Sequence, residues 1–106
     1  MESKKTAPVK SQQKNLVFVD KIYAKYEDVI SWEARDSDIS IFIPEASVIF
    51  GSSERVFDVP KGSNLELTVV EKLSVGEQKS YFYAIYDKNT RIFAESNSDP
   101  EIIIMG

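Results

Sequence analysis

Histidine and cysteine are both absent from these 106 residues. Their absence removes the commonest nitrogen and sulfur ligands for transition metals. It also removes the imidazole base and the thiol nucleophile on which much covalent catalysis depends. With no cysteine there is no disulfide, and the redox character of the compartment stays open. Methionine occurs only as Met1 and Met105, and there are only four glycines. Lys61-Gly62-Ser63 lacks the remainder of a phosphate-binding loop. No apolar run has the length of a bilayer-spanning segment. The opening MESKKTAPVKSQQK carries lysines but no following apolar stretch, so it does not read as a secretory signal. The expectations are a protein that is not an enzyme, needs no cofactor, does not enter a membrane and resides in the cytoplasm.

Charge is unevenly placed. The net charge of −4 divides into +3 over residues 1–14, which hold four lysines and one glutamate, and −7 over residues 15–106. An acidic body repels phosphate backbones, so nucleic acid is not an expected partner. The first fourteen residues are polar and show neither strand nor helix period. They are expected to be a disordered basic arm, with a single domain over residues 15–106.

Within the body β signals dominate. Leu16 to Tyr26 and Asp28 to Ala34 are rich in β-branched and aromatic residues, and Ile39 to Pro44 alternates apolar and polar. Arg55 to Pro60 is a short strand closed by proline. Asn64 to Lys72 alternates again, and SYFYAIYD, RIFA and EIIIM complete a set of seven or eight strands. Short strands punctuated by Gly, Asn, Asp and Pro predict an all-β sandwich or barrel. Pro44 to Glu54 allows one helical turn, because Pro-Glu-Ala-Ser suits a helix start. Two hairpins are expected. One joins Asn64–Leu73 to Lys79–Tyr86 through SVGEQ, and the other joins Tyr81–Asp87 to Arg91–Ala94 through DKNT.

The order of motifs resembles a known family. Asp28-Val-Ile-Ser-Trp32 precedes a strand ending Val59-Pro-Lys-Gly62. Leu65-x-Leu67-x-Val69, Tyr81-x-Tyr83 and a last apolar strand follow. This looks like a cupredoxin-like sandwich, and the closing phrase from Glu95 is similar to the end of small bacterial proteins that carry such a sandwich without a metal. In cupredoxins a strand reading roughly G-D-x-V-x-W leads to the first copper ligand, and a Y-x-Y-x-C strand brings the cysteine. Here the matching position is Ile85, and there is no histidine. A blue-copper site needs two imidazoles and a thiolate, so the resemblance implies the fold and not copper electron transfer. The expected fold is a Greek-key β-sandwich, cupredoxin-like or immunoglobulin-like, of mainly antiparallel strands. Its expected core is Val17, Val29, Trp32, Ile41, Ile43, Phe57, Val59, Leu65, Leu67, Val69, Tyr81, Tyr83, Ile85, Ile102 and Ile104.

Two sites follow from the residues. The last strands are apolar on both faces, and a half-exposed strand needs only one. Phe82, Tyr86, Ile103 and Met105 form the surplus row, read as a surface for an unknown protein partner or a second copy, unless Val48–Phe50, Phe93 or the N-terminal strand covers it. The alternative is a calcium- or carbohydrate-binding sandwich using its end loops. Its candidate ligands are the oxygens of Asp36, Asp38, Glu95, Asn97 and Asp99. An Asn-Ser-Asp-Pro run is also an ordinary turn whose side chains bond their own backbone.

Overall fold

The computed structural model describes residues 4–12, 15–17, 21–94 and 100–106. Eleven strand segments and one helix appear among them. In chain order they are β1 (Lys4–Gln12), β2 (Asn15–Val17), β3 (Lys21–Lys25), β4 (Val29–Ala34) and β5 (Ile39–Phe42). The helix α1 (Ala46–Phe50) comes next, then β6 (Val56–Val59), β7 (Asn64–Thr68), β8 (Gln78–Phe82), β9 (Ala84–Asp87), β10 (Ile92–Phe93) and β11 (Glu101–Met105). The segments outnumber the seven or eight strands expected because long strands are interrupted and because residues 4–17 add two.

One layer runs β2-β1-β4-β7; the other holds the orders β10-β9-β5-β6 and β3-β11-β8. The latter two sheets share no ladder among the described residues and are joined along the chain at Tyr83 into one composite layer. β8 and β9 are successive stretches of a single extended run, parted only at Tyr83. Ala94 N–H donates to Ile85 O, and Tyr83 N–H donates to Pro100 O. Odd-numbered residues of the run thus face the same neighbour, so β10 and β11 flank it along one side while β5 flanks β9 on the other. Most pairings are antiparallel. The exceptions are β1 beside β4 and β11 beside β3, which are parallel.

The strand β1 corrects the expected disordered arm for Lys4–Gln12. Nothing local in KKTAPVKSQ encodes a strand, because its partner is remote: Lys4 pairs in register with Val29, and Val9 with Ala34. Pro8 has no N–H to give a ladder, and it lies before β2 begins to pair at Lys10, where one side of β1 is still open. An ion pair from Lys4 to Glu66 of β7 ties the basic segment to the acidic body.

The core lies between the layers, where Ile30, Trp32, Ile39, Ile41, Ile43, Ile49, Tyr83, Ile85, Ile102 and Ile104 are fully buried. Trp32 meets the rings of Phe50 and Tyr83 edge-on, at centroid distances of 6.2 and 6.0 Å. Its indole N–H has no hydrogen-bond partner among the described residues. Of the expected core, Val29 is only half-buried, since the strand period of two puts it on the face opposite Ile30 and Trp32. Leu65 and Leu67 face inward but are half-buried, because β7 is an edge strand. Tyr81 is also half-buried; its hydroxyl reaches the Glu71 carboxylate at 2.7 Å. Val17 falls outside the described side chains.

The expected turn at Pro44–Glu54 is α1, closed by Gly51 in the left-handed region (φ 68°), whose N–H donates to Ser47 O. A side chain there would be strained. The DKNT hairpin forms β9–β10, with Phe93 opposite Tyr86. The SVGEQ hairpin does not form as expected. Gly76 does turn the chain (φ 87°), but β7 pairs with β4 and β8 with β11, in opposite layers. Alternation alone cannot tell a hairpin from a crossing between layers.

Candidate interaction surface

Register fixes which side chains share the outer face of the composite sheet. One rung runs Phe93, Tyr86, Ser40, Asp58 across β10, β9, β5 and β6. The next runs Ala84, Phe42, Val56. The third runs Phe82, Glu101, Lys21 across β8, β11 and β3, and the fourth Ser80, Ile103, Tyr23. Phe82, Ala84 and Tyr86 are alternate residues of one extended run, so the apolar rows are continuous.

Much of this face is open. Phe93 is 62% exposed, Val56 55%, Phe82 53% and Phe42 39%. Phe93 packs edge-on against Tyr86 (5.3 Å), which leaves Tyr86 half-buried. Phe82, Ala84, Ile85, Phe93, Ala94 and Pro100 line a shallow apolar groove of about 290 Å³. Of the four residues named from sequence, Phe82 is exposed as expected and Tyr86 and Met105 are half-buried. Ile103 is 4% exposed, which corrects its place in an open row. Its neighbours in register are Tyr23 and Ser80. The sequence reading missed Phe42, Val56 and Phe93 as members of the open face. The outward parity of Phe42 and Val56 was legible in ISIF and RVFDVP, but which strands lie side by side was not.

Charges mark two corners of the face. Asp58 accepts the Ser40 hydroxyl at 2.6 Å and Lys88 Nζ at 3.2 Å. Those two donors hold its carboxyl below the ordinary value, so it is anionic at neutral pH. At the far corner Lys21 Nζ lies 3.6 Å from Glu101.

A buried clamp holds the β9–β10 hairpin that carries Phe93. Asp87 Oδ1 accepts the Ser37 hydroxyl at 2.5 Å and the Asn89 N–H at 2.9 Å; Oδ2 accepts the Thr90 hydroxyl at 2.8 Å. Burial pushes this carboxyl upward, but the hydroxyls of Ser37 and Thr90 and the backbone N–H groups outweigh it, and the net displacement is downward.

Those bonds also bear on the end loops. Asp36 and Asp38 are exposed, and Asp38 Oδ1 accepts the Lys61 N–H at 2.8 Å while its carbonyl accepts the Lys88 N–H. The Asp38 side chain thus braces the turn after β6. Among the described residues no group of three or more acidic side chains gathers as a metal site. Glu95, Asn97 and Asp99 lie outside the described residues. No described helix is long and apolar enough to cross a membrane.

No protein-family description and no curated relative matches the chain. Among solved structures it is similar to a point mutant of amicyanin in its reduced Cu(I) form at pH 4. The TM-score is 0.52 at 11% identity, and the alignment covers 94% of this chain and 80% of that one. Similarity at that identity bears out the fold, an all-β sandwich of cupredoxin-like form. The position that the resemblance matches to the family's cysteine, Ile85, is a core residue paired in register with Ile41.

Proposed function

We propose that this chain is a non-catalytic protein-interaction module whose docking surface is the outer face of the composite sheet. The observation that carries the reading is the cluster of Phe42, Val56, Phe82 and Phe93 on adjoining rungs, each more than a third exposed. Scattered apolar side chains are ordinary on a protein surface, whereas contiguous ones rimmed by charge mark binding sites. Aromatic side chains are the residues on which interface energies concentrate. Absence of histidine and cysteine from the whole sequence leaves carboxylates, hydroxyls and lysines as the available reactive groups. Of those on this face, Asp58 accepts from Ser40 and Lys88 beside a shallow surface, and Lys21 pairs with Glu101.

The test is made on dilute protein. The native chain should bind an apolar fluorescent dye such as anilinonaphthalenesulfonate, and Phe82→Glu and Phe93→Glu should lose that binding. Each substitution should change the unfolding free energy by less than about 0.5 kcal/mol, as a surface change does. No dye binding, together with a loss of several kcal/mol in both variants, would show side chains already covered and would end this reading.

A further inference from the structure

We infer that the occupant of this face is a second copy of the same chain, packed sheet against sheet about a twofold axis lying between the copies. The inference rests on the face being a protein-docking surface, and two features of it favour self-recognition.

The first is area. At roughly 200 Å² for a phenylalanine side chain, the exposed parts of Phe42, Phe82, Phe93 and Val56 amount to about 400 Å² of apolar surface. A standard interface buries about 800 Å² per partner, somewhat over half of it apolar. The patch is therefore about the size that one side of a stable dimer requires. A sheet face meets another sheet face well, because side chains from two such faces interdigitate across about 10 Å.

The second is the placement of charge around the centre of the patch. Ala84 stands at that centre. Asp58 lies two strands to one side, through β5 to β6, and one rung toward Tyr86. Lys21 lies two strands to the other side, through β11 to β3, and one rung toward Phe82. The two positions are diagonally opposite across Ala84. A twofold axis passing above Ala84 between the copies, parallel to the face and perpendicular to the Asp58–Lys21 diagonal, sets Asp58 of each copy over Lys21 of the other. Twofold dimers repeat every contact, so one such match provides two. Each corner also holds its own counter-ion, Lys88 beside Asp58 and Glu101 beside Lys21. The face is thereby kept free of the negative charge that dominates residues 15–106.

Sedimentation equilibrium of the full chain, from submicromolar to near-millimolar concentration, tests this with four variants. The parent should dimerise, and Phe82→Glu should be monomeric; Phe93→Glu serves where the first variant folds poorly. Asp58→Lys should weaken the dimer about tenfold or more by setting lysine over lysine, and adding Lys21→Glu should restore it. A dimer indifferent to Phe82→Glu and Asp58→Lys forms elsewhere and overturns the inference. So does a strict monomer. A monomer that still binds the dye leaves the docking surface standing with a different protein as occupant, whereas a monomer that binds none ends both readings.

Discussion

Replacing Trp32 by alanine should lower the unfolding free energy by about 4 kcal/mol, the range seen when large aromatic side chains are removed from packed cores. The side chain is fully buried on an inner strand of its layer, and two other rings, Phe50 and Tyr83, pack against it edge-on. Those rings come from α1 and from the point where β8 passes into β9, so three separate parts of the chain would line the void. A domain of this size holds about 5–15 kcal/mol in total, and the variant would stand near the limit of folding. Urea unfolding followed by far-ultraviolet circular dichroism measures the loss directly. Trp32→Phe is informative beside it. It leaves a smaller void and also removes an indole N–H that has no partner among the described residues. Its cost should stay under about 2 kcal/mol. A loss below 1 kcal/mol for Trp32→Ala would mean that the two layers do not close on this residue.

Asp87→Ala should cost about 3 kcal/mol, because it strands the donors that now converge on one buried carboxylate. Ser37, Thr90 and the Asn89 N–H would each lose an anionic acceptor. The same carboxylate gives stability a pH dependence of definite sign. Its folded pKa lies below the ordinary value of 3.8, so the folded state releases the proton more readily than the unfolded chain does. The contribution is therefore complete above the unfolded value and is lost as pH falls through the folded one. Thermal midpoints of the parent and of Asp87→Asn should differ by a constant amount at neutral pH and converge below about pH 4. A gap that widens in acid would contradict the assignment. Because Asp87 secures the hairpin bearing Phe93, the alanine variant should also weaken whatever docks on the outer face.

How much of this was readable beforehand follows from what kind of information each feature needs. The interior faces of β5 and β11 were legible, because Ile39 and Ile41, with Ile43 just past β5, and then Ile102 and Ile104 keep the period of two that a sheet imposes. Assigning Val29 rather than Ile30 to the interior was an error of parity, and counting back from Trp32 in steps of two would have avoided it. The strand at Lys4–Gln12 was not legible. Its residues are polar, and its stability comes from a parallel partner about twenty-five residues away. The surplus apolar face was recognised from Phe82 and Tyr86, yet Ile103 proved buried and Phe42, Val56 and Phe93 proved open. Which strands adjoin decides that difference, and a single sequence records parity without adjacency. The resemblance to cupredoxins located Ile85 at the cysteine position, and the sandwich bears out the fold that the resemblance implied.

The docking role of the outer face is tested most directly by hydroxyl-radical footprinting read residue by residue, in dilute and in concentrated protein. Phe42, Phe82 and Phe93 should be oxidised readily when dilute and protected when concentrated, while Trp32 and Tyr83 stay protected throughout. Protection of Phe82 and Phe93 at every dilution, or oxidation unchanged by concentration or by any added protein, would contradict it.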